Sequence, residues 1–134
     1  MDDEIIPEQS MSINVQWDNE EHTLVRWDFI GMWDWNDFLA AQKTSNDLIS
    51  SVPHTVDIIG DVSRSPHVPP GAMARFRTYR RNDPENAGRV VLVGANIYIK
   101  TIVDIFRGMF PKTGGNFTFA NSLEEARSTL TAKH

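Results

Sequence analysis

The residues best equipped for chemistry in this chain follow one apolar stretch: Asp61, Ser63 and His67, an acid, a hydroxyl and an imidazole. In α/β proteins, groups placed just past the carboxyl end of a strand stand where ligands commonly bind. Nucleophilic catalysis asks for more, namely a base within hydrogen-bond reach of the hydroxyl and a third group that orients the base. Closeness in sequence does not supply that geometry, and no G-x-S-x-G nucleophile elbow is present. The sequence therefore assigns no catalytic residue and points away from an enzyme. Asp61 and Ser63 are expected to cap and shape a loop.

Other chemistries are weaker still. His22, His54, His67 and His134 are scattered over turns, a loop and the terminus, not clustered as metal ligation requires, so neither metal nor cofactor is expected. VLVGANI has a glycine after an apolar run but neither G-x-G-x-x-G nor a GK[ST] phosphate loop. Arg75, Arg77, Arg80 and Arg81 form the densest basic group in a chain of net charge −5. They could receive an acidic partner, a phosphate or a lipid head group through charge-assisted contacts, or form a solvated helix face. The net negative charge argues against general nucleic-acid binding, which depends on many Lys and Arg contacts to phosphate.

The elements that position these residues follow from hydrophobic periodicity. Residues 1–11 carry early acids and Pro7 without a sustained period and read as a flexible N-terminal extension. Residues 12–134 then read as a single domain. Ile13, Val15 and Trp17, followed by Val25, Trp27 and Phe29, alternate as a β-hairpin with one apolar face. Trp33 and Trp35 fall at the corner after Gly31, where exposure of one beside Met32 would mark an interface. Asp34, helped by Asp37, suits the start of a helix whose apolar residues run from Phe38 to Val52, before Pro53.

Thr55 to Val62 is apolar on both parities, as expected of a central strand covered on both faces. A proline-bounded loop follows, with Pro70 suited to a first helical position, and then a helix with Ala72, Met73, Phe76 and Tyr79 along one face. Arg89 to Val93 reads as another buried strand. Asn96 caps a helix with a broad apolar face reaching Phe110, wide enough for Tyr98, Ile105, Met109 and Phe110 to build a homodimer contact or line a cavity. Phe117 to Ala120 is a short strand, and Ser122 with Glu125 forms a capping-box signature for the last helix. The order is β-β-α-β-α-β-α-β-α, an α/β domain with a mostly parallel sheet and an antiparallel edge strand.

That order, the Asp61-Val62-Ser63 strand ending and the loop reaching Gly71 together resemble the STAS fold of bacterial anti-sigma-factor antagonists. The chain is similar to bacterial STAS/SEC14-like proteins over about Ser12 to Ala132, so a STAS-like single domain is expected. In the antagonists a phosphorylatable serine precedes the helix glycine. Here Pro70 precedes Gly71, and the resemblance implies no phosphoswitch at that position. Ser63 and Ser65 are the nearest hydroxyls and do not match it.

Two functions fit this reading. One is a non-enzymatic interaction module that meets a protein partner through the strand-loop-helix surface 61–81, including Asp61, Ser63, Ser65, His67, Gly71, Arg75, Arg77, Arg80 and Arg81. The other, implied by the SEC14-like similarity, is a binder of an apolar small molecule or lipid in a cavity between the sheet and the helices at 70–83 and 96–110. The longest mainly apolar run, Ile97 to Phe110, is broken by charges and falls short of the ~20 residues that span a bilayer. Absent cysteines exclude disulfides, and the start MDDEIIPEQS does not read as a secretory signal. A cytoplasmic location is the expectation.

Overall fold

The computed structural model describes residues 12–80, 83–111 and 116–131. The expected extension at 1–11 and Arg81 lie outside these residues. Five strands and four helices follow in the order read from the sequence, forming an α/β domain around one five-stranded sheet. β1 (Ile13–Trp17) and β2 (Leu24–Ile30) make the antiparallel hairpin, with Ile13 opposite Phe29 and Trp17 opposite Val25. β3 (Val56–Arg64), β4 (Ala87–Val93) and β5 (Phe117–Ala120) continue from β2 in parallel, so spatial order equals chain order.

Sequential order has a direct consequence for the helices. Right-handed crossovers between parallel neighbours laid down in one direction put every crossover helix on the same face. α1 (Trp35–Ser50), α2 (Ala72–Arg80) and α3 (Ile97–Met109) accordingly share a core with Val25, Trp27, Phe29, Val56 and Val62. α4 (Leu123–Thr131) alone covers the other face, where Ala126 and Leu130 pack on Leu24, Ile59, Val91 and Val93. β3 is thus buried on both sides, as its unbroken apolar character requires.

Local chemistry sets the helix starts. Asp34 accepts from the Asp37 amide at 2.8 Å while the Asp37 side chain accepts from the Asp34 amide at 3.0 Å, a reciprocal capping box. Asn96 caps α3 by accepting from the Ile99 amide at 2.9 Å. At α4 the Ser122 hydroxyl accepts from the Glu125 amide, and Glu125 reaches back to the amide of Asn121.

The start of α2 differs from expectation. Pro70 is not its first residue: it lies in a turn, and the helix begins at Ala72. Trp35 Nε1 donates to the Pro70 carbonyl at 2.8 Å, and Gly71, at φ +85°, turns the chain and offers its own carbonyl to the Arg75 amide at 3.1 Å. A left-handed residue there favours glycine, so tertiary anchoring of Pro70 overrode its local preference. Among the described residues no helix is long and apolar enough to cross a membrane.

Candidate ligand-binding cavity

The strand-end trio does not assemble. Asp61 Oδ1 accepts from both the Ser63 amide (3.0 Å) and the Ser63 hydroxyl (2.6 Å), and both residues lie within β3, not in the loop they were expected to cap. Ser63 spends its proton on Asp61, and His67 lies elsewhere, its ring 6.3 Å from that of Trp33. Ser65 is buried, and its hydroxyl donates to the Gly31 carbonyl at 2.6 Å, while the Gly31 amide donates to the Arg64 carbonyl. The topology explains why nothing gathers here. A crevice at strand ends opens where successive crossovers go to opposite faces, and in this sheet α1, α2 and α3 all lie on one.

Two of the four arginines, Arg75 and Arg77, are exposed and also rest against aromatic rings of the domain. Arg75 donates to the Tyr79 hydroxyl at 3.1 Å and lies over the Trp35 ring, 5.7 Å from its centroid. Arg77 sits 5.2 Å over the Phe110 ring. Cation–π contacts of this kind hold a guanidinium against an aromatic face. Arg80 is the last residue of α2.

What the fold does build is an apolar cavity of about 120 Å³ between the sheet and the three helices. Its floor comes from alternate residues of the central strands: Trp27 and Phe29 of β2, Ile58, Gly60 and Val62 of β3, and Val90 and Leu92 of β4. Phe38 and Gln42 of α1, Phe76 and Tyr79 of α2, and Ile99, Val103 and Phe106 of α3 close it from above. Trp33, His67 and Val68 form the end nearest the β2–α1 corner.

Many of the rings meet edge-on or tilted, with Trp33 and Trp35 at 87° and Phe38 and Phe76 at 51° between planes, while Trp27 and Phe29, and Phe38 and Tyr79, stack at 22°. Such pairings are favourable in themselves, and rigid rings arriving from three helices leave a gap where flexible chains would fill it. Gly60 keeps the floor low: a Cβ there would come within 2.8 Å of Leu92 Cδ2.

Polar groups on the wall are mostly engaged. Trp27 Nε1 donates to Ser45 Oγ at 3.1 Å. Gln42 Nε2 donates to the Tyr79 carbonyl at 2.8 Å and to Asp83 at 3.3 Å. Trp33 Nε1 is buried with no hydrogen-bond partner among the described residues. In the same set, no three His, Asp or Glu side chains come together as a metal site.

Of the described residues singled out from sequence as a partner or ligand surface, only His67 reaches this cavity. Neither Trp33 nor Trp35 is exposed, which removes the aromatic interface expected at their corner, although Met32 beside them is 71% exposed. Tyr98, Ile105 and Met109 point outward, and α3 lines the cavity with Ile99, Ile102, Val103 and Phe106 instead. Sequence reading missed Trp33, Phe38 and Gln42 as cavity residues, because it placed the space under the second and third helices and left out the first. One signal was available in Gly60, since a lone glycine inside a buried strand often marks a close approach. No protein-family model matches the chain, and no curated protein matches it.

Proposed function

We propose that this protein is a non-enzymatic receptor for a small apolar molecule held between its sheet and α1, α2 and α3. The observation that carries the reading is the cavity itself: about 120 Å³, lined almost wholly by aromatic and aliphatic side chains. An engineered apolar cavity of ~150 Å³ stays dry and takes up benzene, so the space suits a single ring or a short acyl chain. The SEC14-like side of the resemblance read from the sequence implies the same function, whereas its STAS side implies an interaction module. The alternative, partner recognition through 61–81, has less support at the strand end, where Asp61 and Ser65 are spent on hydrogen bonds within the domain, while Arg75 and Arg77 remain exposed.

The test is ligand-linked stability. A ligand that binds only the folded state at a hundred times its Kd adds about 2.7 kcal/mol, so toluene near its solubility limit should raise the melting temperature of the protein. Val103→Phe, which places a ring in the cavity, should fold and lose that response. No rise for the wild-type protein, or an equal rise for the filled variant, would remove the basis of the proposal.

A further inference from the structure

Trp33, one of the residues around the cavity, has a donor that the fold leaves unsatisfied. Trp33 is only 6% exposed, and its Nε1 has no partner among the described residues. Buried polar groups are nearly always hydrogen-bonded, and an exception calls for an explanation. The contrast with its neighbours is direct, since Trp27 and Trp35 donate to Ser45 Oγ and to the Pro70 carbonyl.

The other polar side chains on the wall do not serve it. Gln42 donates to the Tyr79 carbonyl and to Asp83, and the Tyr79 hydroxyl accepts from Arg75. His67 packs its ring against Trp33. A buried water typically makes about three hydrogen bonds, and of the described side chains at this end of the cavity, Trp33, His67 and Val68, two carry polar atoms. An acceptor on a bound molecule satisfies the indole without that shortfall.

We infer that the ligand is a single-ring or short-chain compound bearing one neutral acceptor oxygen, a carbonyl or ether, which receives the Trp33 Nε1 hydrogen bond. Its hydrocarbon part fills the space between Phe38, Phe76 and Phe106. Neutrality follows from the lining, which among the described residues holds Asp83 but no Lys or Arg, because a buried carboxylate without a cation is strongly disfavoured. The volume sets the size: about 120 Å³ is close to the ~150 Å³ of an engineered apolar cavity that takes up benzene. This inference rests on the cavity being the binding site, and the experiment separates the two.

Cyclohexanone and methylenecyclohexane have the same shape and differ in an oxygen for a methylene. Both should bind the wild-type protein by calorimetry, and cyclohexanecarboxylate should bind less tightly than the ketone. In Trp33→Phe, the affinity for the ketone relative to the hydrocarbon should fall about two- to tenfold, the range of one net hydrogen bond. Equal loss for both compounds would make Trp33 a packing residue and overturn the inference while leaving the receptor reading in place. Binding of neither by the wild-type protein would overturn both, and tighter binding of the carboxylate would overturn the neutral oxygen.

Should Trp33→Phe fail to fold, the wild-type protein still decides the matter. The Trp33 indole N–H proton resonance should move downfield with cyclohexanone and not with methylenecyclohexane. An unmoved resonance in the saturated ketone complex would overturn the inference.

Discussion

At the scale of single residues, the end of β3 is held by close packing as much as by hydrogen bonds. Gly94, at φ +73°, lies against Ser63, and a Cβ on it would fall 2.9 Å from Ser63 Cα and 2.5 Å from Ser63 Cβ. Backbone cannot yield as a side-chain tip can. Gly94→Ala should therefore lower the free energy of unfolding by at least about 1–3 kcal/mol, the cost of one strained backbone position, seen as a reduced urea midpoint. Gly108 lies inside α3 in open surroundings, where a Cβ would meet nothing within 4 Å. Gly108→Ala should raise the same midpoint, adding about 0.5–1 kcal/mol through helix propensity. A null result for Gly94→Ala would show that the β3 end can shift.

At the scale of elements, the β2–α1 corner matters most for the cavity because it delivers Trp33, Trp35 and Phe38 to one place. Their rings contact each other directly, with Trp33 and Trp35 centroids 5.2 Å apart and Trp35 and Phe38 centroids 5.6 Å apart. The Asp34–Asp37 capping box fixes where the helix begins and hence where those rings fall. Asp34→Ala removes the acceptor for the Asp37 amide and should cost about 0.5–2 kcal/mol, measured by thermal unfolding. Loss below that range would mean that aromatic packing alone sets the helix start. α3 shows the opposite balance. Ile99, Val103 and Phe106 are buried, while Ile97, Tyr98, Ile105 and Met109 are left on its outer side.

At the scale of the whole molecule, one buried charge ties the hairpin to the far end of the chain. Asp18 follows β1 with its side chain 1% exposed, and it accepts from Arg26 of β2 at 2.6 Å and from Arg127 of α4 at 2.7 and 2.8 Å. Burial by itself would raise the Asp18 carboxyl, but the hydrogen bonds and charges of Arg127 and Arg26 outweigh it and hold the group below its ordinary 3.8. A carboxyl more acidic in the folded chain than in the unfolded one stabilises fully above the unfolded value and loses that contribution as pH falls through the folded one. Stability should therefore decline below about pH 4. Both arginines reach solvent, so Asp18→Asn should cost about 1–3 kcal/mol at neutral pH, less than a fully buried pair. Thermal unfolding across acid pH checks this, since the variant should lose less on acidification than the wild-type protein. Equal losses would assign acid sensitivity to other carboxyls.

Sequence alone determined the order of elements, the antiparallel edge hairpin, the doubly covered β3 and the caps at Asp34, Asn96 and Ser122. These depend on periodicity and on side chains meeting backbone a few residues away, so they are written locally. Tertiary structure decided which face each helix covers and, through that, where a ligand could sit. Asp61, Ser63 and His67 are neighbours in sequence, yet the first two bond to each other and the third turns to the cavity wall. Trp27, Gly60, Phe76 and Phe106 are far apart in sequence and meet around one space. That meeting depends on three crossover helices sharing a face of the sheet, and no local pattern records how rigid rings carried by separate helices fail to fill the volume between them.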